Sequence, residues 1–259
     1  MKNLEGKIAI VTGGAKGLGK AMAKRLLEEG VTVVIADILE DEMKNTVEEF
    51  KSQGYEADYF LVNLESVQQI SNMMDYVVKK YGTLDILVNN AGIQIRKWAV
   101  DFEEAEWDKL MGINLKALYF ASTAAAKVMI PKGKGVIVCI SSANSTEYTS
   151  KRSLYNISKA AVNGLVGTLG VEWARFGIRI NAVAPGYVAT DMVKQGITEG
   201  IINIDEILTI VPGKRLLETE EIANAVCFLA SDDSSGMVGQ TLFVDGGWSK
   251  NGLPEKKDL

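Results

Sequence analysis

Tyr155-Asn156-Ile157-Ser158-Lys159 sets a phenol and an ammonium four residues apart, on one face of a helix. To exchange protons near neutral pH a tyrosine must fall from ~10 to near 7, which asks about 4 kcal/mol of a neighbouring cation. One partly buried lysine, aided by a second positive charge, can supply that. The same pentapeptide also describes a surface pair, so its company decides. Ser141-Ser142 closes an apolar run at 136–140, and Ser142 lies 13 residues before Tyr155. Asn89-Asn90-Ala91-Gly92 closes another run, and Asn114 is an isolated polar residue between Ile113 and Leu115 in a helical stretch at 107–127. A hydroxyl donor beside a titratable phenol and a fixed ammonium suits proton transfer at an alcohol oxygen.

A second cluster points to a dinucleotide. Thr12-Gly13-Gly14-Ala15-Lys16-Gly17-Leu18-Gly19 follows a predicted strand and opens a predicted helix. In that context Gly13, Gly17 and Gly19 permit a tight turn, close approach to a pyrophosphate and close helix packing. A turn with no ligand is the alternative for a glycine loop taken alone. The next strand ends on Asp37, where a carboxylate reaches adenosine ribose hydroxyls and repels a 2′-phosphate. Two like charges at ~4 Å cost about 4 kcal/mol at an effective dielectric of 20. A third of that favours NAD over NADP by roughly tenfold. Lys16 argues for NADP, since a loop cation can reach a 2′-phosphate or simply stay in solvent. Asp37 weighs more, so NAD is the expected cofactor and NADP the less favoured one.

Composition narrows the chemistry further. The 259 residues contain no histidine, which excludes a Ser-His-Asp triad and an imidazole shuttle. Two cysteines, Cys139 and Cys227, are too few for a disulfide framework or a four-thiolate zinc site. Cys139, inside an apolar run, is expected in the core. A net charge of −5 offers no basic field for nucleic acid or anionic lipid. Neither a signal-peptide h-region nor a run of ~20 apolar residues is found, so a cytoplasmic location away from the membrane is expected.

The elements that must hold these residues follow a regular rhythm. Short Val/Ile/Leu-rich runs at 7–11, 31–36, 55–62, 85–89, 135–141, 178–184 and 241–244 alternate with amphipathic stretches. Near-continuous apolarity predicts strands covered on both faces, hence a doubly wound parallel sheet in an α/β/α sandwich. No linker breaks the pattern, which predicts one domain over 1–259. An excursion at 186–214, punctuated by Gly186, Gly196, Gly200 and Gly213, reads as a lid, and the polar tail from Asn251 is expected to fray.

Taken together, the glycine loop, Asn-Asn-Ala-Gly, Asn114, Ser142, Tyr155, Lys159 and Pro185-Gly186 resemble the short-chain dehydrogenase/reductase family over 7–248. The resemblance implies a Rossmann fold with strand order 3-2-1-4-5-6-7 and no metal. It implies a tetrad in which Tyr155 is the general acid/base and Lys159 lowers its pKa and binds the nicotinamide ribose. Ser142 would hold the substrate oxygen, and Asn114 would support a proton-relay water. Leu18 would follow the pyrophosphate, Asn90 and Gly92 would line the cofactor, and Val188 and Thr190 would hold the carboxamide. Asn63, followed by Leu64, departs from the acid often found there, yet its carbonyl can still accept from the adenine amine. Homotetramers are implied through the helices at 107–127 and 153–176, with Ala160, Ala161, Gly164 and Gly167 allowing close approach; packing on the sheet is the alternative. The segment at 239–248 would add a second contact.

The substrate side is less determined. Gln94, Arg96, Asn144, Glu147, Tyr148, Arg152, Tyr187 and Met192 are expected to face the pocket beside Ser142 and Tyr155. Arg96 could pair with a carboxylate or be an exposed loop cation. The contexts of Gln94-Ile95-Arg96 and Val171-Glu172-Trp173-Ala174-Arg175 resemble family members acting on gluconate-type sugar acids. The expected reaction is therefore alcohol–ketone interconversion on a sugar acid or polyol. A 3-oxoacyl thioester reductase is the alternative, and a non-catalytic dinucleotide sensor the alternative of another class.

Overall fold

Period-2 alternation within apolar strands requires a layer of helices on each face, and the computed structural model, which describes residues 1–251, has that architecture. The strands are β1 (Ile8–Thr12), β2 (Thr32–Asp37), β3 (Ala57–Leu61), β4 (Ile86–Asn89), β5 (Gly135–Ile140), β6 (Ile178–Pro185) and β7 (Thr241–Val244). They form one parallel sheet in the order 3-2-1-4-5-6-7. The expected tail at 252–259 lies outside the described residues, as does the side chain of Met192.

Alternate residues of each strand go to opposite layers. Ala9, Val11, Val33 and Ile35 join Met22, Leu26, Phe50 and Val226, the inner faces of α1 (Gly17–Leu27), α2 (Glu40–Ser52) and α9 (Thr219–Ala230). Ile8, Ile10, Val34 and Ile137 instead join Met73, Ala121, Ala125 and Val162 from α3 (Val67–Tyr81), α5 (Leu118–Met129) and α6 (Ser153–Trp173). Cys139 packs in this second layer, buried as expected. The edge strand β3 is less buried than β4 or β5, as its half-polar sequence demands.

Two features differ from the simple periodic pattern. The stretch expected as one helix at 107–127 is α4 (Glu104–Met111) and α5 joined by a π-helical segment, Gly112–Ala117, that contains Asn114. The excursion at 186–214 contains α7 (Asp191–Thr198) and α8 (Ile204–Ile210). Ile207 and Val211 there pack with Trp248 and Tyr187 in a small third cluster, which fastens α8 to the C-terminal turn.

Leu26 is fully buried between α1 and the sheet. Leu26→Ala should lower unfolding stability by about 2–5 kcal/mol, read from urea denaturation midpoints at unchanged m-value.

Candidate active site

All strands run the same way, so the polar residues that end them collect along one edge. At β1, Gly13 (φ 63) and Gly17 (φ 57) adopt backbone that side chains disfavour. A Cβ on Gly19 would come within 2.0 Å of the Gly13 carbonyl oxygen, so only glycine lets α1 start this close to the strand. The Thr12 hydroxyl accepts from the backbone N–H groups of Asn90 (3.0 Å) and Ala91 (3.2 Å). Asn90 Nδ2 donates to the carbonyls of Thr12 (2.9 Å) and Gly13 (3.0 Å). Asn90 thus fastens the glycine loop to β4. That role of Thr12 escapes a reading of the sequence centred on the glycines, although a hydroxyl directly before Gly13 was the available signal.

The α1 N-terminus has neither a side-chain cap nor an acid in its first turn. Its free N–H groups and positive dipole end fit an anion such as a pyrophosphate, next to Leu18. Asp37 is held rigidly at the end of β2: its carboxylate accepts from the N–H groups of Ala15 (3.1 Å), Ile38 (2.7 Å) and Leu39 (3.3 Å). Lys16 is exposed. Asn63 Oδ1 accepts from the Glu65 N–H at 3.0 Å, leaving one lone pair for an adenine amine, with half-buried Leu64 alongside. These residues fit an adenine dinucleotide.

At β5 the α6 helix is stitched to the strand end. Lys159 Nζ donates to the Ile140 carbonyl at 2.8 Å, and Ser141 Oγ donates to Asn163 Oδ1 at 2.7 Å. Ser142, in extended backbone, accepts from the Asn144 N–H at 3.1 Å. Asn114 clamps Ile93, accepting from its N–H (2.8 Å) and donating to its carbonyl (2.9 Å). Its Nδ2 also reaches Ser158 Oγ at 3.1 Å, and Ser158 Oγ donates to the Tyr155 carbonyl at 2.8 Å. A Cβ placed on Gly92 would lie 3.3 Å from Asn114 Oδ1 and 3.6 Å from Lys159 Nζ, so Gly92, Asn114 and Lys159 meet. The side chain of Asn114 holds backbone here, and its π-helical setting was not visible in the periodicity. Ser158, a bridge between Asn114 and Tyr155, carried no separate signal.

Electrostatics differ from expectation at Tyr155. Burial raises its phenol, while the Ser142 hydroxyl and the Arg152 guanidinium pull it down. The Lys159 ammonium lies 5.7 Å from the ring centre and donates to Ile140. Burial pushes Lys159 itself down to about 8.

On the far side, Pro185 ends β6 and the Gly186 N–H donates to the Val244 carbonyl at 2.9 Å. A Cβ on Gly186 would sit 2.7 Å from Asp245 Cα, so glycine is required there too. Val188 is buried and bridges to Leu217, while Thr190 caps α7 by accepting from the Val193 N–H. Tyr187 stacks on Trp248 with ring centres 4.7 Å apart. Gln94, Arg96 and Tyr148 are exposed, and Glu147 is half-buried. Asn144 turns inward, donating to the Glu147 carbonyl and Thr149 hydroxyl and accepting from Arg152.

The family model described as enoyl-(acyl carrier protein) reductase matches residues 13–249. The 3-oxoacyl-[acyl-carrier-protein] reductase of Thermotoga maritima is 36% identical, covering 94% of this chain and 98% of its own. The 2-dehydro-3-deoxy-D-gluconate 5-dehydrogenase of Escherichia coli is 37% identical, covering 95% and 96%. A crystal structure of gluconate 5-dehydrogenase from Burkholderia cenocepacia, in complex with NADP and tartrate, superposes with TM-score 0.90 at 34% identity, covering 95% and 96%.

Lys159 binds its proton less tightly folded than unfolded, so unfolded chains hold more protons between about 8 and its ordinary 10.5. Its contribution to stability should therefore rise with pH across that window, by up to about 3 kcal/mol. Denaturation of the wild type and Lys159→Met from pH 7 to 10.5 should show their stability difference shifting in favour of the wild type. A flat difference would refute the buried, depressed ammonium.

Proposed function

The chain belongs to the short-chain dehydrogenase/reductase family, and on that premise we propose that it interconverts a secondary alcohol and a ketone on a gluconate-like sugar acid or polyol. As a family member it is an oxidoreductase with a nicotinamide-dinucleotide fold. The observation that carries the site assignment is the meeting of Ser142, Tyr155 and Lys159 beside Gly92 at the carboxyl edge.

Bound nicotinamide supplies the hydride acceptor or donor for the substrate carbon. The chain's own residues then divide the remaining work. Tyr155 takes the proton from the alcohol oxygen, or returns it to the ketone. Ser142 donates a hydrogen bond to the negative charge developing on that oxygen. Lys159 would hold the nicotinamide ribose when a dinucleotide is bound and keeps its ammonium 5.7 Å from the Tyr155 ring centre, and Asn114 steadies the Ile93 backbone and, through Ser158, the start of α6. Gly13, Lys16, Gly17, Leu18, Gly19, Asp37, Asn63, Leu64, Asn90, Gly92, Pro185, Gly186, Val188 and Thr190 form the proposed dinucleotide cradle. Gln94, Arg96, Asn144 and Tyr187 belong to the substrate side. The sugar-acid substrate draws support from the dehydrogenase relatives and from the exposed guanidinium of Arg96.

NAD is the preferred carrier in this proposal, because the fixed carboxylate of Asp37 repels a 2′-phosphate. NADP is the second reading, favoured by Lys16 and by the NADP bound in the Burkholderia cenocepacia enzyme. A 3-oxoacyl reductase activity is likewise carried as a second reading by the Thermotoga maritima relative. We place the chain as one domain over 1–259, with the 186–214 excursion covering the substrate, in the cytoplasm and as a homotetramer. An added Cβ at Gly164 or Gly167 would meet nothing within 4 Å, which supports a second subunit on that face of α6. Among the described residues no helix is long and apolar enough to cross a membrane.

Tyr155→Phe should lose at least ~100-fold in kcat with dinucleotide binding retained, measured by gluconate oxidation and by titration with NADH fluorescence. An active phenylalanine variant would remove the assignment. Asp37→Ser should move the kcat/KM ratio of NAD to NADP toward NADP by about tenfold. Acetoacetyl-CoA reduction exceeding gluconate oxidation would replace the sugar-acid reading with the thioester one.

A further inference from the structure

Long cationic side chains that are taken out of water normally meet a carboxylate. Arg152, half-buried at the N-terminal end of α6, does not. Its guanidinium donates to Asn144 Oδ1 at 3.2 Å, a neutral acceptor, and lies against the Tyr187 phenol. The charge that acts on it most is Arg96, of the same sign. Among the described residues neither arginine is within ion-pair distance of an acid. The helix end compounds the cost, because α6 has no acid in its first turn and its dipole already presents positive charge there. Burial, like charge and dipole all oppose this cation.

The backbone nevertheless brings the two arginines together. The Lys97 N–H donates to the Lys151 carbonyl at 3.0 Å, tying the loop after β4 to the loop before α6 one residue from each arginine. Lys151 adopts a left-handed φ of 61°, and its ammonium stacks over the Trp98 ring at 4.7 Å. A lysine held in that conformation stores strain, which persists only where surroundings enforce it. Two contacts and one strained residue thus maintain a pair of mutually repelling guanidinium groups next to Tyr155.

We propose that Arg152 is the fixed arm of a two-guanidinium clamp for the substrate carboxylate, with the exposed Arg96 as its movable arm. This inference rests on the sugar-acid reading and extends it. A carboxylate has two oxygens and accepts from both forks, cancelling the like charge, the buried charge and the helix end at once. Asn144, bonded to Glu147 and Thr149 at its other end, sets the direction of Arg152. A polyol of the same length has no charge to offer, so the clamp selects acids over neutral sugars by leaving the cations uncompensated. The same guanidinium pulls on the Tyr155 phenol, so the carboxylate is anchored near the proton-transferring oxygen.

The test compares gluconate with sorbitol, in which the carboxylate is replaced by a hydroxymethyl group. With the full-length enzyme and one dinucleotide, the gluconate-to-sorbitol ratio of kcat/KM should fall at least tenfold in Arg152→Met. The fall should come chiefly through KM for gluconate. Arg152→Lys, which keeps the charge without the fork, should retain part of the ratio. Calorimetric titration with gluconate should show the same order of affinities, and it decides the matter if Arg152→Met does not fold. An unchanged ratio in the methionine variant, or equal losses on both substrates, overturns the clamp. Gluconate that binds wild type tenfold better than Arg152→Met without being oxidised supports the clamp while removing the proposed reaction. Gluconate oxidised by both with the same KM does the reverse. Wild type that binds sorbitol as well as gluconate also overturns the clamp.

Discussion

The bond from Lys159 Nζ to the Ile140 carbonyl organises the candidate site. A strand end and a helix interior are joined by a charge that water scarcely reaches, so any slip of α6 along β5 would strand an ammonium in apolar surroundings. Neighbouring bonds follow the same seam. Ser141 donates to Asn163, and Asn163 donates to the Ser145 hydroxyl. Ser142 and Tyr155 face one another because the residues flanking them on both elements are already fixed. The placing of Ser142 against Tyr155 is thus a by-product of how a helix is registered against a sheet.

The dinucleotide side depends on a different economy of groups. Thr12 and Asn90 saturate the backbone around Gly13, while the α1 end is left without a cap. The donors at the α1 end are thus withheld from side-chain capping, where an anion can collect them. Asp37 is fastened by three N–H groups at the end of β2. In the proposed reading, discrimination between cofactors becomes a contest between one immobile carboxylate and one exposed lysine.

Much of this was legible in the chain. The doubly wound parallel sheet follows from apolar runs covered on both faces, its strand order from the family resemblance alone, and the candidate sites lie where those runs end in Gly, Asn, Ser and Pro. The sequence indicates less where a residue's role is set by a partner distant in the chain. Asn114 stood out as polar in an apolar stretch, but its clamp on Ile93 and the π-helical widening around it leave no mark on periodicity. Lys159 was expected to act on a phenol, and its hydrogen bond to a carbonyl of β5 had no sign in the sequence. Asn144 was expected on the substrate side, but its bonds to Glu147, Thr149 and Arg152, through which it would act there, left no sign in the sequence. In each case side-chain type was readable and direction was not, since direction depends on which backbone groups remain unpaired nearby.

The close passage of Gly186 against Asp245 has a temporal meaning for a chain made from its N-terminus. Asp245 holds the terminal turn by accepting from Gly247 and Ser249, and that turn presents Trp248 to Tyr187. Strands β1, β2 and β4 leave the ribosome long before β7 does. A nascent molecule can therefore gather its glycine loop while the turn that carries Trp248 to Tyr187 is still unmade, so the proposed substrate side is completed after the proposed dinucleotide side.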